Sequence, residues 1–471
     1  MNPYLTPLLI AAVALGSIAT AQGAGLFERN EDARRHYQKA FAAPAELPTE
    51  TLRDRPCDGD GSAGPFPCKG IDLESFTPLA EFTGDTSREA LGGGVSDVWG
   101  WVDPDSGDEY AMVGKTHGTA FFRITDPSNP EYLGELPSGA VAHLLWYDIK
   151  VFRDHAFIVS ESNPHGMQIF DLRRLRHVTP DDPQQFDADA LYPASGIHNL
   201  AINEDSGYAY IVGGNTGLVV PDPCRSGLHI VDISDPTSPL FAGCHTTEGG
   251  PGTAAGIVGG PDSVVAAYVH DTLCVTYDGP DDEHDGREIC FNSSETHVSI
   301  VDVTDKLLPT VLGTYEYDGV AYTHQGWLTE DQAYFLFGDE LDESDNGHPT
   351  RTHVLDVTDL DDPKKAGDGV HEHETAAIDH NMFVLGDLVY QSNYRAGLRV
   401  LDLEQVADGT LEEVAFFDVY PEDDAAEFDG TWGNYPYFPS GTIAVSGYDG
   451  LWLLRLQEGL ANRYYPPRPT R

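Results

Sequence analysis

Positive charge is what this chain most lacks. Against 77 Asp and Glu there are 27 Lys and Arg, a net charge of -50. Such a balance repels phosphate backbones and anionic lipid surfaces, which argues against nucleic acid and anionic membranes as partners. It fits solubility in a salty medium, where screening blunts self-repulsion; a cationic partner or bulk Ca²⁺ is the sharper alternative. Cysteine is also scarce. The six residues fall in three close pairs, Cys57/Cys68, Cys224/Cys244 and Cys274/Cys290. None has CxxC spacing, which disfavours zinc ribbons and thioredoxin-like redox sites. An even count favours disulfides over buried free thiols. Past the first segment there is no apolar run long enough for a membrane-spanning helix. The GxSxG elbow, the phosphate-binding Gly-rich loop and HExxH are missing, and Gly92-Gly93-Gly94 precedes a strand, not a helix.

The first segment reads as an export signal over residues 1–21. Leu8–Leu15 is a short apolar core and Ala19-Thr20-Ala21 offers a small-residue cleavage site, although the first few residues carry no Lys or Arg. A buried or interfacial helix is the alternative. Residues 22–70 form an extension, with a short amphipathic helix at Leu26–Phe41 and a loop closed by Cys57–Cys68. Residues 457–471 are a polar tail. The expected product is a soluble, monomeric protein of the periplasm or the cell exterior.

What is abundant is repetition. Gly227–Pro236 (GLHIVDISDP) has six relatives, at Thr119–Pro127, Gly166–Leu172, His297–Asp305, Thr352–Asp359, Gly397–Leu403 and Gly450–Leu456. Each alternates apolar and polar residues at least in part, the period of a half-buried strand. A further strand often follows, as in Pro239–Cys244 and Pro309–Tyr315, and two strand-like runs precede, as in His198–Asn203 and Tyr208–Gly213. Four antiparallel strands repeated about seven times predict an all-β, seven-bladed propeller over residues 71–456. A stacked solenoid would want more even repeats and polar caps. The last unit lacks a fourth strand, and the orphan strand Glu74–Phe82 is expected to supply it, hiding the open edges.

The motifs resemble those of LVIVD-repeat proteins. Longer stretches, among them Asp97–Pro104 (DVWGWVDP), His198–Tyr210 (HNLAINEDSGYAY), Tyr322–Gln332 (YTHQGWLTEDQ) and Gly338–Glu343 (GDELDE), resemble the bacterial choice-of-anchor B family. The resemblance runs from about Cys57 to Leu456. It implies an exported propeller with a C-terminal surface anchor, and this chain departs there because no anchor is recognisable. It implies no biochemical activity.

Candidate chemistry gathers where the innermost strands start: Asp97, Asp148, His198-Asn199, His270-Asp271, His324-Gln325, His380-Asn381 and Asp429. These side chains are expected to meet at one mouth of the channel. His198, His270, His324 and His380, with Asp148 and Asp271, have the chemistry to bind Zn²⁺ or Cu²⁺. The alternative is that each histidine fastens its blade to a neighbour's backbone. Trp99, Trp146, Trp327 and Trp432 lie near the same starts, as packing residues or as an apolar, sugar-stacking floor. Acidic runs at Asp278–Asp285, Asp339–Asp345 and Asp58–Gly61 are Ca²⁺ candidates without EF-hand spacing. The reading is a binding module for an unidentified protein, glycan or small molecule. A metal-dependent extracellular hydrolase or oxidoreductase and a purely structural surface protein are its rivals.

Overall fold

The computed structural model describes residues 50–83, 94–141, 143–194, 196–213, 224, 227–245 and 269–465. The apolar segment at Leu8–Leu15, the helix expected at Leu26–Phe41 and the last residues of the tail lie outside them. Among the described residues, thirty-two strands form seven antiparallel-based sheets. The first strands of successive sheets are Val95–Val102, Tyr147–Phe152, Asn199–Asn203, Asp271–Thr276, Thr323–Leu328, Met382–Leu385 and Thr431–Tyr435. Each touches the next, and the seventh touches the first, so the sheets are blades of a closed propeller. All seven motif segments are third strands, for example Leu228–Asp232 and Val298–Asp302.

The apolar side chains form seven clusters, each shared by two neighbouring blades. Phe291 and Ile300 of blade 4 pack with Phe335, Phe337 and Leu355 of blade 5. Cys290 of blade 4 joins Tyr210 and Ile230 of blade 3. Alternate residues of one strand therefore enter different cores, and middle strands such as His155–Ser160 are buried on both faces. In six blades a bulge separates the two halves of the third-to-fourth-strand pairing. A Cβ at Gly243, in the fourth strand of blade 3, would lie 1.7 Å from the carbonyl oxygen of Lys306. Only glycine permits that approach between blades.

The ring is closed from the N-terminal side. Ile71–Pro78 pairs antiparallel with Gly450–Leu456, the third strand of blade 7, and Phe76 packs on Trp452 at 4.1 Å between ring centroids. The closing strand thus starts and ends earlier than the expected Glu74–Phe82, because Leu79–Thr83 turns into a short helix. Phe66–Lys69 adds to the outer strand of blade 6, and Leu52–Arg55 lies outside the closing strand. All three expected disulfides form. Cys274 and Cys290 face each other across the first two strands of blade 4. Cys224 sits in the loop ahead of the third strand of blade 3, not at its start. Three disulfides point to an oxidising environment. No helix among the described residues is long and apolar enough to cross a membrane.

Candidate metal centre at the channel mouth

Hydrogen bonds between blades define the register of the innermost strands. The amide of Ile149 donates to Asp97 Oδ2 (2.9 Å), and that of Leu200 to Asp148 Oδ2 (2.6 Å). Gln325 accepts from the Met382 amide (2.9 Å) and donates to its carbonyl (3.0 Å). Asn199 donates to Asp271 Oδ2 (2.9 Å) and to the His270 carbonyl (3.3 Å). Asp97, Asp148, Asn199, Asp271, Gln325 and Asn381 therefore occupy equivalent positions. The histidines sit one residue earlier, level with Ser96, Tyr147 and Trp432. Asp97 and Asp148 are thus not counterparts of the histidines. Asp429 belongs to neither ring; it pairs with Arg395 at 2.6 Å.

The four histidines form a row around the mouth. Ring centroids are 4.3 Å apart for His198–His270, 4.3 Å for His270–His324 and 4.5 Å for His324–His380, and Trp432 follows at 4.8 Å from His380. His270 Nδ1 bonds the carbonyl of His324 at 2.9 Å, and His380 Nδ1 bonds the carbonyl of Trp432. In both cases the acceptor is the equivalent residue of the next blade. A carbonyl only accepts, so Nδ1 carries the proton and Nε2 keeps its lone pair. Fastening a blade and presenting a ligand nitrogen are therefore one geometry, not two alternatives. His198 differs: its Nδ1 lies 2.6 Å from Glu161 Oε1.

Glu340 completes a set. It follows the second strand of blade 5, where Asp339 pairs with Thr323 and the Glu340 amide donates to the Tyr322 carbonyl at 3.1 Å. That hairpin places its carboxylate against both histidines. Oε2 is 3.6 Å from His324 Nε2 and Oε1 is 3.7 Å from His380 Nε2. Tyr394 Oη donates to Oε1 at 2.7 Å. Bonds of about 2.0–2.2 Å to one tetrahedral ion would place ligand atoms roughly 3.3–3.6 Å apart, so this set is close to binding geometry. All three side chains are buried, and one ligand atom from each lies within 4.8 Å of the others. His324 Nδ1 has no hydrogen-bond partner among the described residues. A small pocket with room for about one water molecule opens beside them, lined also by Asp148, Trp146 and Trp432.

Burial sets the protonation states. It lowers His380 to about 3, and it drives His270 and His324 well below the ordinary imidazole value, helped by the other rings. Three neutral imidazoles result, the form that binds metals. At His198 burial also lowers the pKa, but the hydrogen bond and charge of Glu161 outweigh it and the net shift is upward. Burial pushes Glu340 up to about 7.

The other expected site residues make contacts of their own, and in one acidic run Asp281 and His284 bring ligand atoms within 4.8 Å of each other and of Asp361. Asp148 is ion-paired with Lys150 as well as bonded to Leu200. Asp271 accepts from Asn199 and the Thr272 amide. Trp99 packs with Phe383 and Tyr435 under Lys150, and Trp327 also meets Phe383, so the channel carries an aromatic cluster beyond its mouth. In the run Asp278–Asp285, His284 Nε2 lies 3.0 Å from Asp361, and Asp281 accepts from the Leu360 amide at 2.9 Å, tying blade 4 to blade 5. In Asp58–Gly61, Ser62 bonds Asp60 within a turn.

The LVIVD repeat family model matches residues 225–247, the third and fourth strands of blade 3. No curated protein matches. Among solved structures, one of a protein from Lactobacillus plantarum is similar at 12% identity with a TM-score of 0.45, covering 75% of this chain and 88% of that one. The chain is a seven-bladed β-propeller that carries the LVIVD repeat.

Proposed function

We propose that this protein is an exported propeller whose channel mouth binds one divalent transition metal through His324, His380 and Glu340. The carrying observation is the buried set itself: two imidazole Nε2 atoms facing the two oxygens of one carboxylate at 3.6 and 3.7 Å. Two histidines and a carboxylate suit Zn²⁺ or Fe²⁺ and leave at least one coordination position free. That position faces the pocket bordered by Trp146 and Trp432, where a small ligand or one group of a larger partner binds the ion. Export is supported by the three disulfides and by the apolar segment Leu8–Leu15. The protein therefore acts as a metal-dependent binding module.

A second reading, an extracellular metalloenzyme, draws on the same observation. Three protein ligands with an open fourth position is the arrangement of catalytic zinc, whose bound water is acidified to near neutrality. The two readings share the metal and separate on turnover. The test is elemental analysis of protein made in an oxidising compartment and purified without an affinity metal column. One transition-metal ion per chain, absent from a folded His324→Ala/His380→Ala variant, is expected. A protein that stays metal-free after Zn²⁺, Fe²⁺ and Cu²⁺ are offered would leave the histidines as fasteners in a structural module.

A further inference from the structure

The loop between the first two strands of blade 4 carries a histidine and an acid that the channel mouth does not use. Tyr277, buried at the start of that loop, accepts at Oη from the Asp281 amide at 3.1 Å. The Asp281 carbonyl accepts from the His284 amide at 3.0 Å, so both side chains belong to one turn. The turn between the third and fourth strands of blade 5 meets them. Leu360, buried in the core that also holds Tyr277, donates its amide to Asp281 Oδ2 at 2.9 Å, and Asp361 is the next residue along. Residues in a core shared by two blades therefore anchor both turns.

Three ligand groups converge there. His284 Nε2 is 3.0 Å from Asp361 Oδ2 and 3.9 Å from Asp281 Oδ2, and one ligand atom from each residue lies within 4.8 Å of the others. Bonds of about 2.0–2.2 Å to one ion call for separations of roughly 3.3–3.6 Å, which the two histidine distances bracket. The imidazole is not committed elsewhere, since Nδ1 is buried with no hydrogen-bond partner among the described residues. A carboxylate oxygen has two lone pairs, so Asp281 Oδ2 can bind an ion while the Leu360 amide holds it in place. The side chain of Asp361 is 55% exposed and can close on an ion without disturbing the core.

We infer that Asp281, His284 and Asp361 form a second transition-metal site, which clasps blade 4 to blade 5. An imidazole between two carboxylates suits Zn²⁺, whereas the acidic run read alone suggests Ca²⁺. With one exposed ligand among three, this site holds its ion less tightly than the buried set at the channel mouth. It gives up its ion during purification and fills when Zn²⁺ is in excess. The bound ion then reinforces the joint between the two blades.

Calorimetric titration of the chelator-treated full chain with ZnCl₂ past one equivalent, at about 0.15 M salt to screen the acidic surface, tests the site, together with thermal melting. A second, weaker saturable equivalent that raises the Tm is expected. His284→Gln is expected to lose that equivalent and its Tm gain while keeping the tighter one. Asp361→Asn changes an exposed side chain, and is expected to fold as the parent does and to weaken the second equivalent by about tenfold or more. The His324→Ala/His380→Ala variant is expected to retain the weaker event, so a failure at the channel mouth appears as loss of the tighter event alone. No weaker event in the parent, or the same weak binding and Tm gain in His284→Gln, would mark diffuse binding to the acidic surface at most and overturn the site.

Discussion

Asp97, Asp148 and Gln325 lie on one ring of the channel mouth, and His270, His324 and His380 lie on the ring beside it, one residue earlier along the same strands. Each member of the first group reaches an amide of the next blade. The histidines are held less evenly. Two of them spend Nδ1 on a neighbouring carbonyl, His324 Nδ1 has no partner, and the Nε2 atoms of His324 and His380 meet Glu340 at distances too long for a hydrogen bond. A native interior seldom leaves buried polar atoms unpaired, so the carboxylate facing two Nε2 atoms beside His324 marks a place kept for something else. Asp97, Asp148 and Gln325 hold blades together, and the histidines hold a ligand as well.

Breaking the Gln325 bridge between blades should have the largest effect on stability. Gln325→Leu leaves both the amide and the carbonyl of Met382 buried without a partner, a loss of about 2–4 kcal/mol. Denaturant unfolding should show that drop, while metal stoichiometry of the folded fraction stays at the parent value. His380 separates the two roles of the other ring. His380→Ala removes ligand and fastener, so metal binding is lost and stability falls by about 1–3 kcal/mol. His380→Asn places an amide nitrogen near the former Nδ1, keeps the bond to the Trp432 carbonyl and removes Nε2. It should lose metal with a much smaller change in melting. His324→Ala comes next: metal binding is lost, and metal-free stability should fall less than in His380→Ala, because Nδ1 of His324 bonds nothing.

The smallest expected effect is one of pH. Burial, and then the charge of Asp148, raises Asp271 to about 7 in the folded chain, against about 3.9 when unfolded. The folded state therefore holds this proton more tightly. The resulting stability is fully present below the unfolded pKa and is lost as pH rises through about 7. Asp271→Asn mimics the protonated form. It should raise the Tm at pH 8 and leave it nearly unchanged near pH 4; a gain that did not depend on pH would contradict the assignment.

The propeller was legible because its signal is repeated. Seven segments with the period of a strand and their Asp-rich turns specify third strands whatever their loops do. The closing strand was legible as a missing partner, though not its ends, since Leu79–Thr83 looks strand-like in isolation and turns into a helix where Leu79 N meets the Asp449 carbonyl. His324 and His380 were legible as strand starts. Glu340 was not, because one acid in the run Asp339–Asp345 looks like any solvated charge. Pairing the hairpin by register, Thr323 with Asp339, would have brought Glu340 beside His324. Asp97 and Asp148 misled for a related reason: polar residues at strand starts look alike until a one-residue offset assigns them to different rings.

Metal binding at His324, His380 and Glu340 is separable from the fastening of blades. The most direct measurement is a Co²⁺ titration of the metal-free protein, followed by visible absorption, beside His380→Asn and with both melting curves recorded. Ligand-field bands that saturate at one equivalent are expected in the parent, and none in a variant that melts at nearly the same temperature. Identical spectra from both proteins, or no saturable Co²⁺ binding in either, would contradict it.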